Sequence, residues 1–178
     1  MIGYKATYNG KCKDQLYEVG KTYTFYDELI ICQKGFHFCQ YLYDVFTYYY
    51  PNKDIKVFKV EAVGNIKTES DKSVTNKIKI LEEINLSNMI IEKNGGKYKF
   101  DKNKNLIEKK YSRGIVEKYE YDSNHNRIKY EDSYGYWEKR EYNQNNKLIR
   151  IDRASGYWMI LEYNENNEIT YKSGRNKL

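Results

Sequence analysis

Three cysteines and one histidine are the first side chains in this sequence whose chemistry suggests a site. Cys32, His37 and Cys39 lie in the stretch "CQKGFHFCQ", and Cys12 precedes them. Thiolate and imidazole are ligand types that zinc accepts. The sequence has no CxxC pair, however, and a His–Cys pair two residues apart on a strand is an unusual ligand spacing. We therefore expect no metal site and no catalytic cysteine, and we interpret Cys32 and Cys39 as small buried hydrophobic residues.

The elements that position these residues follow from the periodicity of the first half. Apolar residues spaced three and four apart predict a helix over Tyr41–Tyr49, which Pro51 ends. Segment Leu86–Glu92 fits either a short helix or a linker. Alternating segments predict five strands near Gly3–Tyr8, Thr22–Phe25, Gly35–Phe38, Lys56–Val63 and Asn76–Glu83. Residues 1–92 are therefore expected to form a small α+β domain, bounded by the "KNGG" turn that follows it.

The second half, residues 93–178, repeats with a period of 21. In register the copies are 97–117, 118–138, 139–159 and the partial copy 160–178. Each places an Asn-rich turn between alternating stretches, a pattern typical of hairpins. The period therefore predicts an all-β antiparallel meander of seven or eight short strands. One aromatic column of the repeat consists of Phe100, Tyr121, Tyr142 and Tyr163.

The net charge of +6 lies entirely in this repetitive half. Residues 1–92 hold 12 basic and 12 acidic residues, whereas residues 93–178 hold 19 and 13. A basic half indicates an acidic partner, either nucleic acid or an acidic protein surface, although an ordinary solvated surface gives the same excess. The aromatic and basic residues fit base stacking with phosphate contacts, or cross-strand pairs that stabilise a single-layer sheet. The residues expected to bind a partner are Tyr119, Tyr136, Trp137, Lys139, Arg140, Arg150, Arg153, Tyr157 and Trp158.

Two resemblances bear on the biological setting. The stretches "YEVGKTY", "GFHFC" and "VTNKIKI" of the first half resemble an uncharacterised domain of phage and prophage proteins. The repeats resemble the tyrosine-rich YD-type repeats of large bacterial shell proteins, which provide surface rather than chemistry. Together they imply a phage-encoded binding or inhibitor protein that acts on a host protein or ribonucleoprotein, such as an anti-CRISPR or other counter-defence protein. An odd number of cysteines and the lack of a signal core or membrane-length apolar run favour the bacterial cytoplasm, without membrane contact.

A third resemblance concerns activity. The stretches "KGFHFCQYLYDVFTYY" (34–49) and "VFKVEAVGNI" (57–66) resemble the catalytic domain of poly-ADP-ribosyltransferases. This implies a transferase-like fold with a nucleotide pocket built around a histidine, a tyrosine and a glutamate. The matching positions here are Lys5 (or Tyr4), His37 and Lys77, the last beside Asn76.

An ammonium group in place of the glutamate reverses the electrostatics that a developing cation needs. The resemblance therefore implies a degenerate fold with a relic pocket at Lys5, His37 and Lys77, no catalytic residues and no cofactor. The alternative is an active ADP-ribosyltransferase that modifies a host protein or nucleic acid with NAD. Its carboxylate would then come from Glu69, Glu82 or Glu83.

Overall fold

The computed structural model describes residues 1–176, and most of them lie in strands. The chain forms two compact units, Met1–Ile91 with Lys102–Lys104, and Glu92–Asp101 with the residues from Asn105 onward. Within residues 1–176 one α-helix is present, α1 (Leu42–Tyr48), and no helix is long and apolar enough to cross a membrane. The strands of the first sheet are β1 Ile2–Tyr8, β2 Lys11–Cys12, β3 Gln15–Leu16, β4 Thr22–Thr24, β5 Phe36–Cys39, β6 Ile55–Ala62, β7 Ile66–Glu69, β8 Lys72–Thr75 and β9 Lys77–Glu83.

These nine strands form an antiparallel sheet in the order β4–β9–β6–β1–β5–β8–β7, with the hairpin β2–β3 extending from β1. Strand β1 pairs with β6 over its whole length, from Ile2 to Tyr8. Since side chains alternate along a strand, apolar residues at every second position collect on one face. The core cluster consists of Tyr17, Phe36, Phe38, Phe58, Val60, Ala62, Ile78 and Ile80.

The expected α+β, transferase-like fold of residues 1–92 is wrong, because this part of the chain is nearly all β. The predicted strands and helix are present, but segments outside them pair as well. Strands β7 and β8 form a hairpin around Ser70, whose φ of 57° lies in the left-handed region. Strand β8 then pairs with β5 and adds to the sheet. The end of Leu86–Glu92, left open between helix and linker, belongs to a strand, Ile90–Lys93.

The second sheet is the antiparallel meander that the 21-residue period predicted, with nine strands rather than the expected seven or eight. Its nine strands lie in chain order from β10 to β18, and β11 to β18 pair antiparallel with their neighbours. The strands are β10 Ile90–Lys93, β11 Gly96–Phe100, β12 Leu106–Lys110, β13 Val116–Tyr121, β14 Arg127–Asp132, β15 Trp137–Tyr142, β16 Leu148–Arg153, β17 Tyr157–Tyr163 and β18 Ile169–Arg175.

The Asn-rich turns align the repeats at one edge of this sheet. In each turn the side chain of the first Asp or Asn accepts main-chain N–H bonds, as Asp122 does from Asn124 and Asn126, both at 2.9 Å. Turn side chains also bond across successive repeats. His125 Nδ1 lies 2.8 Å from Asn105 Oδ1, and Asn126 Nδ2 donates to Asn146 Oδ1 at 3.0 Å. The asparagine columns therefore fix both the turns and the spacing between hairpins.

Candidate functional site

A cavity opens in the first unit where strands β1 and β5 separate. The two strands are in register at Tyr4 and Cys39. One residue further along β1, the Lys5 Nζ donates a hydrogen bond to the His37 carbonyl at 3.1 Å. A side chain therefore bridges the strands here, and the space beside it is a cavity of about 210 Å³. Its walls come from β1, β2, β5 and the segment of α1, together with Cys32 and with Lys72 of β8.

All three cysteines and His37 line this cavity. Cys39 is buried and Cys12 half-buried, but Cys32 is exposed, so the expectation that it is buried is wrong. The Cys12 Sγ lies 3.7 Å from the Tyr49 hydroxyl. None of the three forms a disulfide, and within residues 1–176 no group of three or more His, Cys, Asp or Glu side chains is placed to hold a metal ion.

Lys5 is a buried cation, with only 4% of its surface exposed. Its Nζ lies 4.8 Å from the centroid of the Tyr17 ring, close enough for a cation–π contact. Burial lowers the pKa of Lys5, against the opposing effect of the Cys12 and Cys39 thiols. Among the described residues that line the cavity, none carries a carboxylate. Burial therefore disfavours the charged form of Lys5, and the groups that contact its ammonium are a neutral carbonyl oxygen and an aromatic ring.

His37 has a buried ring nitrogen, Nε2, without a hydrogen-bond partner among the described residues. Burial and the charge of Lys5 lower the pKa of His37, whereas backbone hydrogen bonds with Ile30 and Gly35 raise it. Since Nε2 has no partner, Nδ1 makes those backbone bonds. Because those backbone bonds raise the pKa, the ring N–H donates in them, and in the neutral imidazole Nε2 is the nitrogen left to accept a hydrogen bond.

The sequence-predicted pocket residues are only partly brought together. Lys5 and His37 both line the cavity, as does Tyr4, but Lys77 does not. Lys77 begins β9 opposite Thr24, and its side chain is exposed. The alternative carboxylates lie outside the lining as well. Glu82 and Glu83 form surface ion pairs with Lys59 and Lys56, and Glu69 ends β7.

The second unit offers its partner-binding candidates on two opposite faces. The register Tyr119–Tyr130–Glu138–Arg153 defines one side, which we call the tyrosine face. The register Glu131–Trp137 and Lys139–Asp152–Trp158 defines the other, which we call the charged face. By strand alternation the tyrosine face also carries Tyr136, Arg140 and Tyr157, and the charged face carries Arg150. The nine expected residues therefore do not form one surface, and Tyr119 is itself buried.

The charged face is a ladder of ion pairs. Lys129 contacts Glu120 at 3.1 Å and Glu131 at 3.0 Å, and Arg150 makes two bonds of 2.7 and 3.0 Å with Asp152. Lys129 and Arg150 therefore each contact an acid, and Lys118 lies 3.9 Å from Glu131, whereas Lys139 lies 5.7 Å from the centroid of the Trp137 ring. Such pairs stabilise the sheet and leave little net charge for a partner.

The tyrosine face holds a buried glutamate that three arginines contact. Glu138 accepts hydrogen bonds from Arg140 at 2.7 Å, Arg153 at 3.0 Å and Arg127 at 3.1 Å. Burial alone would raise the pKa of Glu138, but Arg140 and Arg153 lower it overall. We call these four residues the arginine cluster. It carries three positive charges and one negative charge, an excess of two positive charges.

Tyrosine rings surround the arginine cluster. The Arg153 guanidinium lies 5.2 Å from the centroid of the Tyr157 ring, and that of Arg127 lies 5.5 Å from Tyr130. Tyr136 is 38% exposed, and its ring centroid lies 5.9 Å from that of Tyr130. Cationic and aromatic groups are therefore interleaved on one accessible face.

Sequence reasoning missed two members of the arginine cluster, Arg127 and Glu138, although the repeat carried a signal for them. In three repeat columns an arginine enters where the other copies have mainly apolar or aromatic residues. Those columns read Leu106–Arg127–Leu148, Tyr98–Tyr119–Arg140 and Tyr111–Asp132–Arg153. In the preceding copy the corresponding acid is Glu117, which accepts hydrogen bonds from the hydroxyls of Tyr111, Tyr119 and Tyr130. One copy later Arg140 takes the position of Tyr119, and arginines rather than tyrosine hydroxyls contact the glutamate.

Comparison with known proteins identifies a family for the first half. Residues 1–92 match a family model described as "Domain of unknown function (DUF7666)". The matched segment includes every residue that lines the cavity. No curated protein matches the chain.

Proposed function

Given that the chain belongs, through residues 1–92, to the DUF7666 family of unknown function, we propose that it is a non-catalytic binding protein whose tyrosine face holds single-stranded nucleic acid. The partner we propose is an exposed single strand in a host nucleoprotein, which the protein would bind as an inhibitor. The setting, a phage counter-defence protein in the bacterial cytoplasm, rests on the resemblance of the first half to phage domains.

The observation that carries the proposal is the arginine cluster. Glu138 is 6% exposed, whereas the side chains of Arg127, Arg140 and Arg153 keep 27, 29 and 38% of their surface accessible. Each guanidinium has five N–H donors in a planar fork, and the one carboxylate, which takes a bond from each arginine, cannot accept from all of their donors. The remaining donors and the excess of two positive charges favour a phosphate ligand.

The neighbouring aromatic rings make a single strand the best-fitting polyanion. Tyr136 and Tyr157 lie on the same face as the arginines, and aromatic rings stack on unpaired bases without regard to sequence. A duplex would hide its base faces from these rings. The charged face offers a polyanion less, because Arg150 and Lys129 on that face already contact Asp152, Glu120 and Glu131.

The rival hypothesis, an enzyme that uses NAD, receives no support from the cavity. The three glutamates that could have supplied its carboxylate, Glu69, Glu82 and Glu83, lie outside the described lining. Transfer through a cationic transition state needs an anion beside the reacting carbon.

The experiment is fluorescence anisotropy with a labelled single-stranded RNA of about 12 nucleotides. Arg153→Gln should weaken binding about tenfold, since it removes a charge-assisted contact. It should also lower the slope of log K against log salt by about 0.7. The matched control is Arg150→Gln, the same substitution in the same strand but on the charged face, which should bind like the wild type.

Two results would overturn the proposal. The first is a wild-type protein that binds no single-stranded oligonucleotide even at low salt, including the case in which it captures only an acidic host protein. The second is equal loss of binding in Arg153→Gln and Arg150→Gln, which would indicate non-specific attraction to the net charge. The fluorescence of Trp137 and Trp158, the two tryptophans of the chain, checks that each variant keeps the repeat sheet folded.

A further inference from the structure

The cavity of the first unit has the size of a binding site for one aromatic ring. Its volume is about 210 Å³. An engineered apolar cavity of roughly 150 Å³ admits benzene, so the present one has room for a ring with one or two small substituents. Sites for larger ligands begin at roughly 300 Å³. The cavity can therefore enclose a single ring, and a nucleotide would extend beyond its walls.

The walls favour a planar apolar body. Tyr48 and Tyr49 contribute aromatic rings, and Phe38, Ala6 and Val45 contribute carbon surface. Aromatic pairs gain stability from offset or edge-to-face contacts beyond simple burial. A planar ring of the ligand would make such contacts with the tyrosines.

The buried ammonium group of Lys5 favours an anionic ligand in the cavity. The Lys5 ammonium contacts a carbonyl oxygen and the Tyr17 ring, but no carboxylate is among the described lining residues. Asp71 accepts a hydrogen bond from the Tyr48 hydroxyl at 2.6 Å and also lies outside that lining. Lys72 contributes a second cation, 5.6 Å from the Tyr48 ring centroid. A buried charge is stabilised by an opposite charge, and a ligand carboxylate would provide it.

The His37 ring is the second polar group of the cavity that a ligand could satisfy. The Nε2 atom of His37 is buried without a partner among the described residues. A buried polar atom in this state is destabilising unless a ligand or water satisfies it. With Nδ1 engaged by the backbone, Nε2 accepts, so the ligand group that pairs with it is a hydroxyl or N–H donor.

From these four features we propose that the cavity binds a small aromatic acid, a single ring that carries one carboxylate and one hydroxyl. The carboxylate pairs with the Lys5 ammonium, the hydroxyl donates to His37 Nε2, and the ring lies between the tyrosines. This site is independent of the nucleic-acid binding proposed for the repeat sheet, so either one can fail alone.

The test is a calorimetric titration with the three hydroxybenzoate isomers. At least one isomer should bind, and benzoate, which lacks the donor, should bind about tenfold more weakly than that isomer. Phenol lacks the anion and should also lose at least about tenfold. Benzamidine, a cation of the same size, should not bind.

Two variants identify the groups involved. Lys5→Met keeps the length of the side chain and should abolish the preference for benzoate over benzamidine. His37→Phe should make the hydroxybenzoate and benzoate bind equally. Lys11→Met, at an exposed position in β2, is the matched control and should leave every affinity unchanged. Nuclear magnetic resonance spectra of the first unit show whether each variant is folded.

The proposal is overturned if no hydroxybenzoate isomer binds the wild-type protein at millimolar concentration. It is equally overturned if Lys5→Met and His37→Phe, both folded, bind the isomers as the wild type does. Binding that Lys11→Met weakens to the same degree would show attraction to the net charge and would also reject the site.

Discussion

Replacing Glu138 by glutamine tests whether the arginine cluster stabilises the repeat sheet. The substitution keeps the shape of the side chain and removes the one negative charge among Arg127, Arg140 and Arg153. Three hydrogen bonds of 2.7 to 3.1 Å to that carboxylate are charge-assisted in the wild type. In the variant, three positive charges remain around a neutral amide that can accept only through its single oxygen.

The magnitude follows from the burial of the four side chains. Losing the charge of a fully buried pair destabilises a protein by roughly 3–5 kcal/mol. Here the acid is buried but the three arginines keep 27 to 38% of their surface accessible, so water screens their mutual repulsion. We therefore expect a loss of about 2–3 kcal/mol in the free energy of unfolding. For a chain of this size that corresponds to a fall of roughly 4–12 °C in the unfolding midpoint.

The assay is urea or thermal unfolding followed by tryptophan fluorescence. Both tryptophans, Trp137 and Trp158, lie in the second unit, so the signal reports the repeat sheet and not the first unit. The control is Asp152→Asn, which breaks an exposed ion pair with Arg150 on the other face and should change the midpoint far less.

Lowering the pH should imitate the glutamine variant. Because the folded pKa of Glu138 is lowered, its contribution to stability is present above the unfolded value of 4.5 and is lost as the pH falls through the folded pKa. The reasoning is refuted if Glu138→Gln is no less stable than Asp152→Asn, or if its stability has the same acid dependence as that of the wild type.

Two further predictions concern the first unit. Lys5→Met should raise its free energy of unfolding at neutral pH by about 1–2 kcal/mol, because it removes a buried charge without a carboxylate. Since the folded pKa of Lys5 is lowered from 10.5, wild-type stability should rise with pH between the two pKa values, and urea unfolding across that window should show no such rise in the variant. Gly3→Ala should destabilise the first unit by roughly 1–3 kcal/mol, since its Cβ would meet the Cys39 carbonyl at 2.6 Å and the ring of Phe38. Hydrogen exchange of the β1 amides measures this loss, and protection equal to the wild type would contradict it.

The two proposed sites differ in how far the sequence could lead to them. The repeat period placed Arg140 and Arg153 in strands of a meander, and the columns that contain them also held the clue to Arg127. The division of the nine partner-binding candidates between two faces of the sheet could also have been predicted from the sequence. Adjacent residues of a strand, such as Lys139 and Arg140, point to opposite sides of a sheet, so they could not belong to one surface.

The cavity was less predictable, since its parts are distant in the chain. Lys5 and His37 were singled out through a family resemblance whose fold the structure does not bear out. They nevertheless meet, because β1 and β5 lie side by side with Tyr4 opposite Cys39. Lys77 had the same support from the sequence and lies elsewhere, at the start of a strand that pairs with β4 and β6.

The sequence by itself determined the local structure of this protein. Alternation and turn residues such as Asp122 and Gly135 fixed the strands, the hairpins and the chain order of the second sheet, because neighbouring strands joined by short turns pair locally. Only the tertiary structure decided which distant side chains meet. The pairing order of the first sheet placed Lys5 beside His37, and the register of β14, β15 and β16 placed three arginines on Glu138. Those arrangements depend on the packing of whole sheets, which no short stretch of sequence encodes.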